Sequence, residues 1–368
     1  MTRPNHTGVV GAGLMGRDIA GLLANGGFPV TLVDVDADAL ESAREYHETE
    51  LDAALDAAGI GPVDEPAARI DYATDLSALA DHDFVVEAVP ERLDLKRALL
   101  ADLEGVIDPA AVIGTNTSSL TPGGVAADLD HPERVVLFHF ANPAIQRDLV
   151  EIAGDDADER AIETARSVAA AIDREPVLLG AEFRANCLSR LSASIKCAGT
   201  WELLEAEAAA VDRGAAAVGF DRGPIEFVDL IGIDVHLATV DNLADAYGDR
   251  YAPPPSVRDR MESLVAAGHL GKKTGQGFFE WSGETCLLPE VEQPHDVTPI
   301  VGALVNEAHR LVADGVAEPD TVDEVLRRGS GGEIGPFDIE ELLGRDHLRA
   351  VLAERHAETD AAVYDPVF

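Results

Sequence analysis

The feature that most constrains the fold is a glycine-rich segment near the amino terminus. An apolar run at 8–10 leads directly into the segment 11–16, Gly-Ala-Gly-Leu-Met-Gly, and a helical pattern of small residues follows to about residue 25. A strand, a G-x-G-x-x-G turn and a helix in this order are typical of a dinucleotide-binding βαβ unit. Gly11 permits the tight turn, Gly13 lets a pyrophosphate approach the backbone, and Gly16 lets helix and strand pack closely. The start of the helix then offers free N–H groups to phosphate.

An acidic residue stands at the expected distance from this segment. A second strand-like run at 29–33 ends at Asp34, 18 residues after Gly16. A carboxylate in this place can hold the ribose 2′-hydroxyl. Because Val35 and Asp36 follow it rather than an arginine, a 2′-phosphate would meet two carboxylates, and we predict NAD rather than NADP. In the alternative interpretation the glycines serve packing alone.

The first half of the chain alternates short apolar runs with helical patterns. Further strand-like runs lie at 83–87, 111–114, 135–138 and 175–179, and helical patterns at 37–58 and 93–103. Such alternation is typical of βαβ units and a parallel sheet. We therefore predict a doubly wound, mostly parallel α/β domain of the Rossmann type over residues 1–181.

The second half is predicted to be all-α and duplicated. Helical patterns follow one another without intervening strands, and three positions recur at an offset of 112 residues: Pro224 and Pro336, Gly232 and Gly344, Asp234 and Asp346. Recurrence at a fixed offset indicates duplication of a helical module. An irregular polar stretch at 283–297 reads as a linker, so the two copies are expected at 182–283 and 296–368.

The charge balance excludes several classes of function. The chain of 368 residues has 68 acidic and 28 basic residues, a formal net charge of −40. This argues against binding to nucleic acid or to an anionic membrane, which both require excess positive charge. No apolar run is long enough for a membrane span, no leader-like segment is visible, and the three cysteines show no metal-ligand spacing. The cytoplasm is therefore the expected location.

The distribution of the charge is also informative. Acidic residues are spread over the whole chain, and only four lysines occur: Lys96, Lys196, Lys272 and Lys273. Self-repulsion of this size is tolerated where salt screens it, and at molar salt the Debye length is about 3 Å. We infer a cytosolic protein of a high-salt organism; the alternative is an ordinary acidic enzyme.

Three further segments carry side chains suited to chemistry. The segment 116–119 follows an apolar strand, His139 follows another, and Glu151 ends the strand-like run 148–151. Carboxyl ends of parallel strands face the ligand crevice. A histidine there can take a proton from an alcohol as a hydride leaves, and a carboxylate can hold the ring and favour its protonated form. In the alternative interpretation His139 is a satisfied core residue.

Taken together, the chain resembles the L-3-hydroxyacyl-CoA dehydrogenase family of fatty acid β-oxidation. The matching segments cover most of residues 6–281, in order and at the family's spacing. They are 11–34, 85–91 with Lys96, 116–120, 139–143, 149–151, 183–186, 223–226 and 270–278.

The resemblance implies an activity and site residues. The activity is reversible, NAD-dependent oxidation of a (3S)-hydroxyacyl-CoA to the 3-oxoacyl-CoA. His139 would be the general base, Glu151 its partner, and Ser118 and Asn186 would hydrogen-bond the reacting oxygen. The residues implied to surround NAD are Gly11, Gly13, Leu14, Met15, Gly16, Asp34, Glu91, Lys96, Ser118, Asn142 and Lys273. For Glu91 the alternative is a helix N-terminal acid, and for Lys273 a solvated loop charge.

The chain departs from the family's pattern in three places. Cys187 stands where the family usually has an arginine, and Ala141 where it has a second aromatic residue. The helical pattern at 37–58 is strongly acidic, whereas the family's coenzyme A contacts there include serine and lysine. From about residue 297 the chain resembles a second copy of the helical domain, as in multifunctional β-oxidation subunits. This implies a monomer or homodimer that works beside a separate hydratase and thiolase.

Two other functions stay open. One is a dehydrogenase of a free 3-hydroxy acid, of the sugar-acid or hydroxyisobutyrate type, for which Lys196 is the only candidate helix lysine. The glycine-rich context expected before such a lysine is missing, since 191–195 reads Leu-Ser-Ala-Ser-Ile. The other is a non-catalytic NAD-binding sensor.

Overall fold

The computed structural model describes residues 3–368, and its packing divides the chain into two compact units. The first unit holds the chain up to Asn186, with Gly315–Ala317 and Glu324–Glu333; the second holds Cys187–Asp314, Glu318–Asp323 and Ile334–Phe368. The domain boundaries predicted above stay predictions. The first predicted domain begins at residue 1, and residues 1 and 2 lie outside the described part of the chain.

An eight-stranded sheet forms the centre of the first unit. The strand order is β3-β2-β1-β4-β5-β6-β7-β8. Every neighbouring pair is parallel except β6 and β7, which are antiparallel. The strands are β1 (Thr7–Val10), β2 (Val30–Val33), β3 (Ile70–Ala73), β4 (Phe84–Glu87), β5 (Val112–Thr115), β6 (Val135–Phe140), β7 (Leu149–Ala153) and β8 (Glu175–Leu178).

Helices pack against both faces of this sheet. Successive strand residues enter two separate apolar clusters, as Val85 and Val86 do in β4. Burial on both faces explains why the strands read as continuous apolar runs, and the predicted mostly parallel α/β fold is confirmed. The helices of this unit are α1 (Leu14–Asn25), α2 (Ala37–Thr49), α3 (Leu51–Ala57), α4 (Leu93–Glu104), α5 (Pro122–Ala126) and α6 (Glu159–Ala171).

Two local expectations for the first unit were wrong. The acidic stretch at 37–58 is two helices rather than one, because the chain turns at Glu50 and places Leu51 in the core. Two elements were not predicted: β3, a half-exposed edge strand with a weak apolar pattern, and α6, whose buried residues are mostly alanines.

The second unit is helical, as predicted. The stretch 283–297, which was predicted to be an irregular linker, includes the strand Thr285–Cys286 (β10), which pairs with Trp281–Ser282 (β9). No helix within residues 3–368 is long and apolar enough to cross a membrane. The helices are α7 (Cys187–Glu202), α8 (Ala208–Ala217), α9 (Pro224–Ile231), α10 (Ile233–Tyr247), α11 (Pro255–Ala266), α12 (Thr298–Ala313), α14 (Pro336–Leu343) and α15 (Arg345–Thr359), while α13 (Pro319–Ser330) is divided between the units.

The two predicted copies of the helical module are built alike. In the first, Asp212 accepts hydrogen bonds from the N–H groups of Ile225 and Glu226 at the start of α9. In the second, Asp323 accepts one from Phe337 at the start of α14. An aspartate on the preceding helix therefore caps the equivalent helix in each copy. A glycine with positive φ also ends the equivalent helix in each copy. Gly232, with φ 100°, lies between α9 and α10, and Gly344, with φ 88°, lies between α14 and α15.

Candidate active site

The glycine-rich loop lies between β1 and α1, and each of its three glycines has a distinct environment. Gly11 has φ +106°, and a Cβ there would lie 2.6 Å from the carbonyl oxygen of Ala88. A Cβ on Gly16 would lie 1.7 Å from the carbonyl oxygen of Gly11. By contrast, a Cβ on Gly13 would meet nothing within 4 Å. Gly11 and Gly16 are thus required by packing, whereas Gly13 leaves open space at the start of α1.

Asp34 is held against this loop. One carboxylate oxygen accepts a hydrogen bond from the N–H of Ala12 at 2.7 Å, and the other from the N–H of Asp36 at 2.9 Å. The Ala12 hydrogen bond therefore ties the acid at the end of β2 to the loop at the end of β1. The open space over Gly13, the start of α1 with Leu14 and Met15, and this fixed carboxylate fit a dinucleotide.

A buried ion pair lies at the end of β4. Glu87 and Lys96 are fully buried, with 2.7 Å between Oε1 and Nζ. Glu87 also accepts hydrogen bonds from the Thr115 hydroxyl and the Val89 N–H. The sequence did not identify Glu87 as a site residue, although an acid that ends an apolar strand, with a lysine nine residues later, is the signal that marks it.

Glu91 links this ion pair to the loop after β5. Its carboxylate lies 3.4 Å from Lys96 Nζ and accepts hydrogen bonds from the Thr117 hydroxyl, the Ser118 N–H and the Ser119 N–H. Desolvation opposes ionisation, but the Lys96 charge and these hydrogen bonds outweigh it, so the pKa of Glu91 lies below its ordinary value. In this structure Glu91 and Lys96 shape the 117–119 loop, and their contact with NAD stays a prediction.

His139 and Glu151 face each other across two antiparallel strands. They are register partners in β6 and β7, and His139 Nδ1 lies 2.7 Å from Glu151 Oε2. Glu151 is fully buried and His139 is 6% exposed. The expectation that His139 follows a strand and that Glu151 ends one was wrong, because both strands extend further and both residues lie inside them.

The other ring nitrogen of His139 faces the loop after β5. His139 Nε2 lies 3.2 Å from the Ser118 hydroxyl, and Ser118 itself is exposed. Asn186 is buried beside the same loop, where its side-chain amide donates to the Thr117 carbonyl at 2.8 Å. Asn116 accepts the N–H of Phe140 at 2.9 Å and fixes the end of β6 to this loop. The structure therefore brings together the four predicted catalytic residues: His139, Glu151, Ser118 and Asn186.

Asn142 and Lys273 are two further predicted NAD contacts. Asn142 follows β6 and is exposed. Lys273 belongs to the second unit, where its ammonium lies 2.6 Å from a carboxylate oxygen of Asp234. Burial raises the pKa of Asp234, but the hydrogen bond and charge of Lys273 outweigh it and the pKa is lowered. The roles of Asn142 and Lys273 toward NAD stay predictions.

Family profiles match both parts of the chain. The profile of the 3-hydroxyacyl-CoA dehydrogenase NAD binding domain matches residues 6–182. The profile of the C-terminal domain of the same family matches twice, at residues 190–281 and 297–367.

Curated relatives agree with the profiles. The chain is 34% identical to a 3-hydroxyadipyl-CoA dehydrogenase of Escherichia coli (strain K12), over 88% of this chain and 67% of the relative. It is 30% identical to a fatty acid oxidation complex subunit alpha of Psychrobacter arcticus, over 98% of this chain. The chain spans 54% of the length of that subunit.

Solved structures share the fold. A 3-hydroxybutyryl-CoA dehydrogenase of Escherichia coli K12 superposes with a TM-score of 0.84 at 23% identity, covering 100% of this chain and 97% of the other. The (S)-3-hydroxybutyryl-CoA dehydrogenase PaaH1 of Ralstonia eutropha superposes with a TM-score of 0.66 at 28% identity, covering 76% of this chain and 99% of the other. The protein is thus an NAD-dependent enzyme that belongs to the 3-hydroxyacyl-CoA dehydrogenase family.

Proposed function

We propose that the protein oxidises the 3-hydroxyl group of a (3S)-hydroxyacyl-CoA, reversibly, with His139 as general base. The observation that carries this proposal is the His139–Glu151 pair, in which a buried carboxylate holds one ring nitrogen while the other is directed at Ser118. A base positioned in this way can accept the hydroxyl proton of a substrate.

Each residue of the cluster has a separate part in this proposal. His139 Nε2 takes the hydroxyl proton, and Glu151 stabilises the imidazolium that forms, because a carboxylate 2.7 Å from Nδ1 favours the charged ring. Ser118 and Asn186 hydrogen-bond the substrate oxygen and orient it toward His139. NAD, when bound along Gly13 and Asp34, supplies the acceptor for the hydride of the substrate carbon.

The acyl-CoA substrate is supported by the family and by the names of relatives that act on hydroxyadipyl-CoA and hydroxybutyryl-CoA. The proposed setting is fatty acid β-oxidation or butyrate-type metabolism, beside a separate hydratase and thiolase. The proposed assembly is a monomer or homodimer. Sedimentation of the purified protein tests that assembly: a tetramer or larger species contradicts it.

We also propose that the protein works in the cytoplasm of a high-salt organism. The net charge of −40 supports this, because self-repulsion of that size is screened at molar salt. Unfolding measured at low and at molar salt tests it. Salt is expected to raise the stability markedly, and full stability without salt contradicts the proposal.

The decisive experiment for the activity compares two oxidised substrates. NADH oxidation is measured with acetoacetyl-CoA and with free acetoacetate, in molar salt. Turnover with the coenzyme A ester is expected. Turnover with the free acid alone contradicts the proposal and favours a free-acid dehydrogenase, whereas NADH binding without turnover of either favours a sensor.

A further inference from the structure

A series of side-chain contacts within the first unit leads from the buried Glu87 to the loop that carries Ser118. Glu87 ends β4, and its Oε1 lies 2.7 Å from Lys96 Nζ on α4. The same ammonium lies 3.4 Å from Oε2 of Glu91, which follows β4. Glu87 is fully buried and Lys96 is 1% exposed. One buried cation is therefore shared by two carboxylates.

Glu87 fixes the position of the Lys96 charge. Its Oε2 accepts a hydrogen bond from the Thr115 hydroxyl at 2.7 Å, and its Oε1 accepts one from the Val89 N–H at 2.8 Å. Lys96 also donates to the Val89 carbonyl at 3.2 Å. An ammonium has three donors, and Glu87, Val89 and Glu91 account for them. Because an unpaired buried charge is strongly unfavourable, the ammonium stays where Glu87 holds it.

The two carboxylate oxygens of Glu91 have different partners. Oε2 faces Lys96, whereas Oε1 accepts hydrogen bonds from the Ser118 N–H at 3.0 Å and the Ser119 N–H at 2.8 Å. The hydroxyl of Ser118 lies 3.2 Å from His139 Nε2. The backbone of Ser118, and with it the direction of this hydroxyl, therefore depends on a carboxylate that Lys96 holds in place.

We propose that Glu87 is a positioning residue for the oxidation. Through Lys96 it keeps Glu91 in place, and Glu91 in turn keeps the Ser118 hydroxyl where it can hydrogen-bond the reacting oxygen. Glu87 acts through these groups rather than on the substrate, because its side chain is fully buried. This inference rests on the proposed function, which assigns Ser118 to the reacting oxygen.

A second ion pair on the same helix provides a matched control. Glu104 ends α4, about 12 Å along the helix from Lys96, and lies 3.3 Å from the guanidinium of Arg134, which is 1% exposed. Like Glu87→Gln, the variant Glu104→Gln removes the carboxylate from a buried cation of the first unit. A loss of stability is expected in both variants, whereas a loss of positioning is expected in Glu87→Gln alone.

The test combines Glu87→Gln with Ser118→Ala. Values of kcat and of KM for acetoacetyl-CoA are measured at saturating NADH for the wild type, both single variants, the double variant and Glu104→Gln. Glu87→Gln is expected to lower kcat about tenfold and to change KM less than about twofold, because the affected hydrogen bond acts on the reacting oxygen. In the Ser118→Ala background the same change should lower kcat less than about twofold, since two changes that act through one group are not additive. Glu104→Gln should keep the kcat of the wild type.

The possible outcomes separate this inference from the proposed function. An unchanged kcat in Glu87→Gln, equal losses from that change in both backgrounds, or an equal loss in Glu104→Gln overturns the inference alone. Wild-type kcat in Ser118→Ala contradicts the proposed function and overturns the inference with it. If Glu87→Gln does not fold, Thr115→Val decides, because it removes one hydrogen bond of Glu87 and keeps the ion pair. It is expected to lower kcat about threefold, and only where Ser118 is present; an unchanged kcat overturns the inference.

Discussion

Two buried glutamates, one in each unit, differ in the side chains to which they are hydrogen-bonded. The comparison shows how the partner of a buried carboxylate limits the role of that carboxylate. Glu151 in the first unit is hydrogen-bonded to His139, whose other nitrogen is directed at the exposed Ser118. Glu307 in the second unit is 1% exposed and accepts hydrogen bonds from Arg190 and Tyr251, both fully buried. A guanidinium keeps its proton, whereas an imidazole can accept and release one. We therefore expect the same type of acid to support chemistry in one unit and stability in the other.

The Glu307 cluster has a counterpart made from the other helical copy. Tyr251 follows α10 and donates to Glu307 on α12, at 2.7 Å. Tyr364 follows α15 and donates to Glu202 on α7, at 2.6 Å. Each copy thus contributes a tyrosine that donates a hydrogen bond to a buried carboxylate of the other copy. The exchange indicates that the two helical copies stabilise one another.

The largest expected effect is on stability, from Glu307→Gln. This change removes the buried carboxylate that Arg190 and Tyr251 share and leaves Arg190 paired with the exposed Asp314 alone. We expect a loss of about 3–5 kcal/mol of folding free energy. Chemical denaturation measures it. Glu284→Gln, at an exposed acid that pairs with Lys272, is the control and should change stability by less than about 0.5 kcal/mol. A Glu307→Gln protein as stable as the wild type would remove the contrast between the two carboxylates.

Glu151→Gln is expected to act on turnover rather than on folding. An amide cannot stabilise the imidazolium, so kcat should fall about 10²-fold, while NADH affinity stays close to that of the wild type. Steady-state kinetics with acetoacetyl-CoA and a fluorescence titration of NADH measure both. The matched control is Glu133→Gln, which alters an exposed carboxylate 3.1 Å from His131 in the same unit. Equal losses in the two variants would show that Glu151 has no special role.

Comparing Asp34 with Glu151 and Glu307 shows which features of the molecule the sequence can predict and which it cannot. The glycine-rich loop and Asp34 were predictable because their roles depend on local spacing between a strand, a turn and a helix. The pairing of His139 with Glu151 across β6 and β7 was predicted through the resemblance to the family. It depends on the register of two antiparallel strands, which no local pattern reveals. His139 and Glu151 were also expected at strand ends, because the apolar runs did not show how far β6 and β7 extend. The contact of Glu307 with Tyr251 joins residues 56 positions apart and had no sequence signal.

Replacing Tyr251 and Tyr364, one at a time, tests the exchange between the helical copies. Tyr251→Phe and Tyr364→Phe each remove one hydrogen bond to a buried carboxylate, and we expect a loss of about 1.5–3 kcal/mol in either case. Thermal and chemical denaturation measure the loss. Similar losses support equivalent roles in the two copies. A loss confined to one variant would show that the exchange is one-sided.

The smallest expected effect is on cofactor affinity, from Asp34→Ala. The carboxylate that we predict to hold the ribose is lost, and NAD should bind about tenfold more weakly, since one hydrogen-bonded charge is removed. The folding free energy should change less than in Glu307→Gln, because Asp34 is only partly buried. Asp71→Ala, at an exposed acid of β3, is the control. Equal NAD affinity in the Asp34 variant and the wild type would place the ribose contact elsewhere.

The central claim is that His139 takes the proton of the substrate hydroxyl. Its most direct test is the turnover of His139→Ala with acetoacetyl-CoA and NADH, measured beside the NADH affinity of the same variant. We predict that turnover falls by about 10²-fold or more while NADH still binds. Turnover equal to that of the wild type would contradict the claim.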